Sequence, residues 1–240
     1  MARMYRYYEF DGFPELDQWQ PVVFGKTPQL LASLPEQERT TIRDVGQSDN
    51  PAFRKYFVEH ETGRETVWRR ESEIIRGCLI EVLEFHIFRH KEEGYFLVEA
   101  SERVVRELCR RLSLRSPELK VRMREVDLPQ ARAALSATVS GGQFGGLTID
   151  NVSSAAIFGP DVGESDMWGY LTEHGDLNAL WLRFSYLGSH QVALVTRTGG
   201  VMPLTTAQEN AALDMVRAVN ELVSPFSSLV EQSIRRRSKG

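Results

Sequence analysis

Two cysteines, Cys78 and Cys109, are all that 240 residues contain, which excludes a disulfide scaffold and a cysteine-rich zinc site. Both lie in apolar surroundings where a thiol packs as a small hydrophobe. No run of about 18 apolar residues occurs, so no membrane-spanning helix is expected. The opening Met1 to Tyr8 lacks the apolar stretch of a signal peptide, and a cytoplasmic location is the expectation. Motifs of the common catalysts are missing as well. There is no His-Glu-x-x-His, no Gly-Lys-Ser/Thr after a glycine loop, no twelve-residue calcium loop and no nucleophile elbow around Ser153, Ser154 or Ser185. No cofactor is expected.

Positive charge is also scarce in one half. Residues 141 to 234 hold three Lys/Arg against ten Asp/Glu, whereas residues 1 to 140 hold 22 against 23, and Arg235, Arg236, Arg237 and Lys239 restore four cations at the end. What the chain does have is ample apolar content, 42%, enough for a large packed core.

The pattern predicts an α+β protein of antiparallel sheets with helices packed on one face. Tyr5 to Phe10 reads as an aromatic strand and Gln29 to Leu34, after Thr27-Pro28, as a short helix. His60 to Arg64 reads as a hairpin turn. Ile74, Ile75, Cys78, Leu79, Val82 and Leu83 have helical spacing, with a strand from Leu83 to Phe88. Tyr95 to Val98 reads as a buried strand. Ser101 caps a helix with the stripe Val104, Val105, Leu108, Cys109 and Leu112. Hairpin, helix and strand in that order suggest a ferredoxin-like N-terminal part.

Four glycines in Gly141 to Gly146 mark the expected boundary between a 1–140 α+β part and a 141–240 acidic part, and read as a linker. Beyond it come strands at 147–152 and 155–158, a β-meander from Leu180 to Leu204, and a long helix with the stripe Leu213, Val216, Val219, Leu222 and Val223. Ser224-Pro225 ends that helix and opens a further helical segment carrying Phe226, Leu229, Val230 and Ile234.

Three residue sets carry candidate chemistry. Lys120, Arg122 and Arg124 alternate on one strand face, after a helix bearing Arg103, Arg106, Arg110 and Arg111, and together they form a possible nucleic-acid or anion-binding surface. The interleaved Glu102, Glu107, Glu118 and Glu125 offer ion pairs instead. Glu84, His86 and His90 share one strand face and form the catalytic candidate, a nuclease or metal-dependent hydrolase. Asp161, Glu164 and Asp166 read as an acidic turn. The preferred reading is a non-enzymatic cytoplasmic interaction or regulatory subunit, of the kind found in bacterial multiprotein systems, with a protein partner or self-association. Nucleic-acid binding through the 103–124 face is the first alternative and the Glu84/His86/His90 enzyme the second.

Overall fold

Strand alternation in this chain is unusually easy to follow, because successive aromatic and aliphatic residues go to two different cores. In β1 (Tyr5–Asp11), Tyr5 and Tyr7 join one buried cluster and Tyr8 the other. In β5 (Tyr95–Val98), Tyr95 and Leu97 face the first cluster and Phe96 and Val98 the second, so all four residues are buried. An unbroken apolar strand of this kind belongs between two covered faces. The computed structural model describes residues 3–11, 40–70, 73–93, 95–115, 120–205, 208–223 and 227–231.

The remaining strands are β2 (Thr40–Gln47), β3 (Phe53–Arg70), β4 (Glu73–His90), β6 (Lys120–Val126), β7 (Thr138–Ile149), β8 (Val152–Phe158), β9 (Asp176–Tyr186), β10 (Ser189–Thr196), β11 (Gly200–Pro203) and β12 (Ser227–Glu231). They make one antiparallel sheet in the order β2-β3-β4-β5-β1-β11-β10-β9-β7-β8, with β6 pairing both β1 and β12 off that path. Four α-helices accompany it among the described residues: α1 (Glu102–Arg115), α2 (Leu128–Ala134), α3 (Asp166–His174) and α4 (Glu209–Val223). The protein is thus α+β and dominated by its sheet.

Helices cover both faces rather than the expected one. α1 buries Val104, Val105, Leu108, Cys109 and Leu112 against Ile42, Tyr56, Ile87, Phe96 and Met123. α2 and α4 bury Leu128, Ala131, Leu213 and Val216 against Phe53, Phe88, Leu97, Leu180 and Val195 on the opposite face. This second cluster draws residues from both sides of position 140. A Lys55–Glu209 ion pair (2.5 Å) and an Asn50–Asp214 hydrogen bond (2.8 Å) fasten α4 to the strand end and loop beneath it.

Four local expectations are overturned. His60 to Arg64 is no turn but the middle of β3, and the helix over Ile74 to Leu83 is the first half of β4. The two strands pair without interruption from Phe53↔His90 to Arg70↔Glu73. Apolar residues at mixed spacings of one, three and four satisfy a helix template, but a partner strand of equal length supplies every ladder bond, and pairing overrides that pattern. The segment expected to be helical after Pro225 contains β12, laid along the free edge of β6. Gly141 to Gly146 is no linker either, but the interior of β7, paired with β8 and β9. Its glycines serve close approach, since a Cβ on Gly141 would meet Phe158 at 2.5 Å and one on Gly142 would meet Trp168 at 2.5 Å. The helix read at Gln29 to Leu34 lies outside the described residues.

Candidate functional site

Glu84, His86 and His90 do share one face of β4, but the fully buried Phe88 stands between the histidines. His90 is a core residue. It stacks on Tyr95 (4.8 Å), meets Phe53 edge-on and accepts the Glu93 backbone N–H at Nδ1 (3.1 Å). His86 turns instead to Glu99, which holds its Nδ1 at 2.9 Å and also accepts from the Arg3 Nε at 2.7 Å. Glu84 is exposed opposite Glu59 on β3. The three candidates are therefore not brought into one site, and no group of three or more His, Cys, Asp or Glu side chains able to hold a metal occurs among the described residues.

The basic residues divide between the two faces of the sheet. Val121 and Met123 of β6 point into the cluster under α1, so Lys120 and Arg122 point to the other face, where Arg122 lies 3.8 Å from Glu9. Arg103, Arg106 and Arg110 lie on α1. There Arg106 donates to Glu102 (2.8 Å) and Arg110 to Glu107 (2.8 Å), pairs of the i,i+4 and i,i+3 kind. The side chain of Arg124 lies outside the described residues. Among the described residues, Lys120 and Arg122 thus lie on the opposite face of the sheet from the α1 cations.

Arg111 has a different role, which the sequence did not separate from its neighbours. Its guanidinium is buried and donates to the Thr40 hydroxyl (2.9 Å), the Glu61 carbonyl (2.6 Å) and Glu107 (3.1 Å), tying α1 to β2 and β3. Thr40 in turn bonds His60 Nδ1 at 2.9 Å. Whichever nitrogen carries the proton, the buried His60 Nε2 has no hydrogen-bond partner. Burial, and then the Arg111 charge, push the His60 imidazole down to about 4. Burial pushes the Glu107 carboxyl up, but the hydrogen bonds and charges of Arg110 and Arg111 outweigh it and leave it below its usual range.

A pH dependence follows from this depressed imidazole. The unfolded chain takes up the His60 proton below about 6.5 and the folded chain only below about 4, so stability is complete above the first value and falls between the two. The expected loss is about 3 kcal/mol. Urea denaturation at pH 7 and pH 4 should show that decrement in the wild type and a much smaller one in His60→Gln, whereas equal decrements in the two would refute it.

In the second half, Ser165 caps α3 by accepting the Trp168 N–H (3.2 Å), and Glu164 pairs with Arg132 (2.6 Å). The acidic turn thus contributes one ion pair and the start of a helix. Phe144, Leu147 and Leu171 form a small third core with Trp168 and Ile157 packed against it. Outside that core, Val152 and Phe158 of β8 and Met167 and Tyr170 of α3 are exposed, Phe158 by 63%. Half of the large exposed hydrophobic residues described thus fall at this end of the sheet, with Val152 and Phe158 on the face that carries Trp181, and Met167 and Tyr170 on the opposite face, which α3 covers. The sequence did signal this end of the sheet, since Val152 to Phe158 is seven residues without a charge, but edge position is a property of topology and not of a run of letters.

A surface depression of about 420 Å³ between α2, β9 and α4 is lined by Leu135, Ser136, Phe184, Tyr186 and Val219, with hydroxyls but no charged side chain among its lining residues. No family model matches this chain, and no curated protein matches it.

Proposed function

We propose that the chain is a non-enzymatic cytoplasmic interaction or regulatory subunit that presents the β8–α3 end of its sheet to protein. The exposed apolar side chains at that end of the acidic half, on both faces of the sheet about the β8 edge, carry this reading. In it, residues 1–140 act as the scaffold and residues 141–240 provide the docking part. Within the scaffold, β5–α1–β6 with β1 between its two strands is the unit we propose as ferredoxin-like. The geometry favours protein over nucleic acid as partner, because phosphates tracking α1 could not also reach Lys120 and Arg122 on the other face.

A photoreactive side chain placed in cells at Met167 or Tyr170 tests the reading against the same probe at Arg103 or Lys120. Protein adducts at the first two positions are expected. Adducts to nucleic acid at the second two, with none at the first, would replace it by the nucleic-acid alternative.

A further inference from the structure

The two ends of the sheet are finished differently. At one end, β2 carries Arg43 and Asp44 and breaks its register between Asp44 and Gly46, where Gly46 adopts φ 99, a conformation that other residues rarely enter. Charge and a bulge are the ordinary protections of an edge against a second chain. At the other end, β8 reads Val-Ser-Ser-Ala-Ala-Ile-Phe, with no charge, no proline and no glycine, and the register break of the β7–β8 pair, between Gly145 and Ile149, puts its extra residues on the inner strand and not on the free edge of β8. Its partner among the described residues is β7 alone.

The ladder fixes which backbone groups of β8 are free. Ser140 lies opposite Gly159 in the β7–β8 register, and the Gly159 N–H donates to the Ser140 carbonyl at 3.1 Å. Alternation along an antiparallel pair then turns the N–H and C=O of Ile157 and Ala155 toward β7, and those of Phe158, Ala156 and Ser154 outward.

We infer that β8 is a homotypic docking edge, through which two copies of this chain pair antiparallel about a two-fold axis at Ala155 and continue the sheet from one copy into the other. This rests on the proposed interaction function and names its partner. A two-fold axis requires a strand that complements itself. About Ala155, β8 does so: Val152 meets Phe158 of the second copy, Ser154 meets Ala156, and the small Ala155 meets itself where side chains come closest. The outward-facing Ser154 and Ala156 fall at hydrogen-bonded pairs and Ala155 at a non-hydrogen-bonded one, so the register agrees with the free backbone groups and forms roughly eight main-chain hydrogen bonds. Exposed Phe158, already edge-on to Trp181 at 4.9 Å, gains an apolar neighbour in Val152 of the second copy. No charge enters the paired strands. At the rims, the same register brings the exposed Asp150 of one copy beside the Pro160-Asp161 corner of the other, so salt should strengthen this association by screening their repulsion.

Sedimentation equilibrium of the full chain, from micromolar to millimolar concentration and at two salt levels, tests the inference beside two variants. A monomer–dimer equilibrium tightened by salt is expected. Ala156→Lys, at an exposed position that the fold tolerates, should weaken it about tenfold or more by guarding the edge. Ala155→Cys should give a disulfide-linked dimer on mild oxidation that the wild type, with its native cysteines, does not give, since opposed residues of a non-hydrogen-bonded pair lie within disulfide reach. A wild type monomeric throughout, a dimer unaffected by Ala156→Lys, or a dimer of the Ala155→Cys variant that does not cross-link would each overturn the pairing. A monomer whose Met167 probe still captures a different protein would leave the interaction function standing, and loss of both would remove the two together.

Discussion

Phe88→Ala is expected to cost about 4 kcal/mol of folding stability, lowering the thermal midpoint by about 10 °C. Phe88 has no exposed surface and lies in the face of the sheet that α4 and α2 cover. Its ring is 6.0 Å from Tyr5 and 6.0 Å from His86, and the Lys55 ammonium sits over it at 5.6 Å. Truncation leaves a cavity walled by paired strands, which cannot collapse into it without breaking ladder bonds. It also removes the ring against which Lys55 is held toward Glu209, so α4 should loosen with the core. Differential scanning calorimetry of the variant beside Phe158→Ala gives the measure. Phe158 is largely exposed, and its truncation should change stability by no more than about 0.5 kcal/mol. Similar losses in the two variants would contradict the burial that separates them.

The second large effect is expected at Arg111→Met, about 3 kcal/mol by urea denaturation. Methionine fills much of the volume of the arginine stem but makes none of the three hydrogen bonds, leaving the Glu61 carbonyl without that donor and Thr40 with His60 alone. Removing the buried cation also removes one of the causes that hold the His60 imidazole low, so the acid-induced loss of stability should shrink in this variant. Arg106→Met on the same helix is the control. Its pair with Glu102 is solvent-exposed, and its loss should cost about 0.5 kcal/mol or less. A variant that kept wild-type stability while losing Arg111 would mean that the network is dispensable.

Why these two arginines differ shows where sequence reading stops. The apolar stripe of α1 placed Val104, Val105, Leu108, Cys109 and Leu112 inward, and all five are buried. Arg106, Arg110 and Arg111 look alike in sequence, but Arg111 alone borders that stripe at a point where Thr40 and the Glu61 carbonyl are waiting, and those partners come from strands about 50 and 70 residues away. The alternation of Lys120 and Arg122 was legible too, as Val121 and Met123 are buried opposite them. Whether the strand and helix cations combine was not legible, because it depends on which face of the sheet α1 covers. The same holds for β3 and β4. Each contains turn-like or helix-like letters, and only the presence of a matching partner converts both to strand. In β7, glycine at 141 and 142 speaks for flexibility when read alone, but here it makes room for Phe158 and Trp168.

β1 carries a further consequence. One of its edges is completed by β5, and the other is shared between β6 and β11, so that Tyr5 faces Val201 across nearly the whole length of the chain. On a ribosome, this strand emerges long before one of its partners exists. Its neighbours β5 and β6 can dock first, but the sheet cannot run through from the β2 end to the β8 end until β11 has been made. Closure of the fold is therefore a late event of synthesis, and nascent chains stalled short of residue 201 should remain open to proteases along the edge that β11 later occupies.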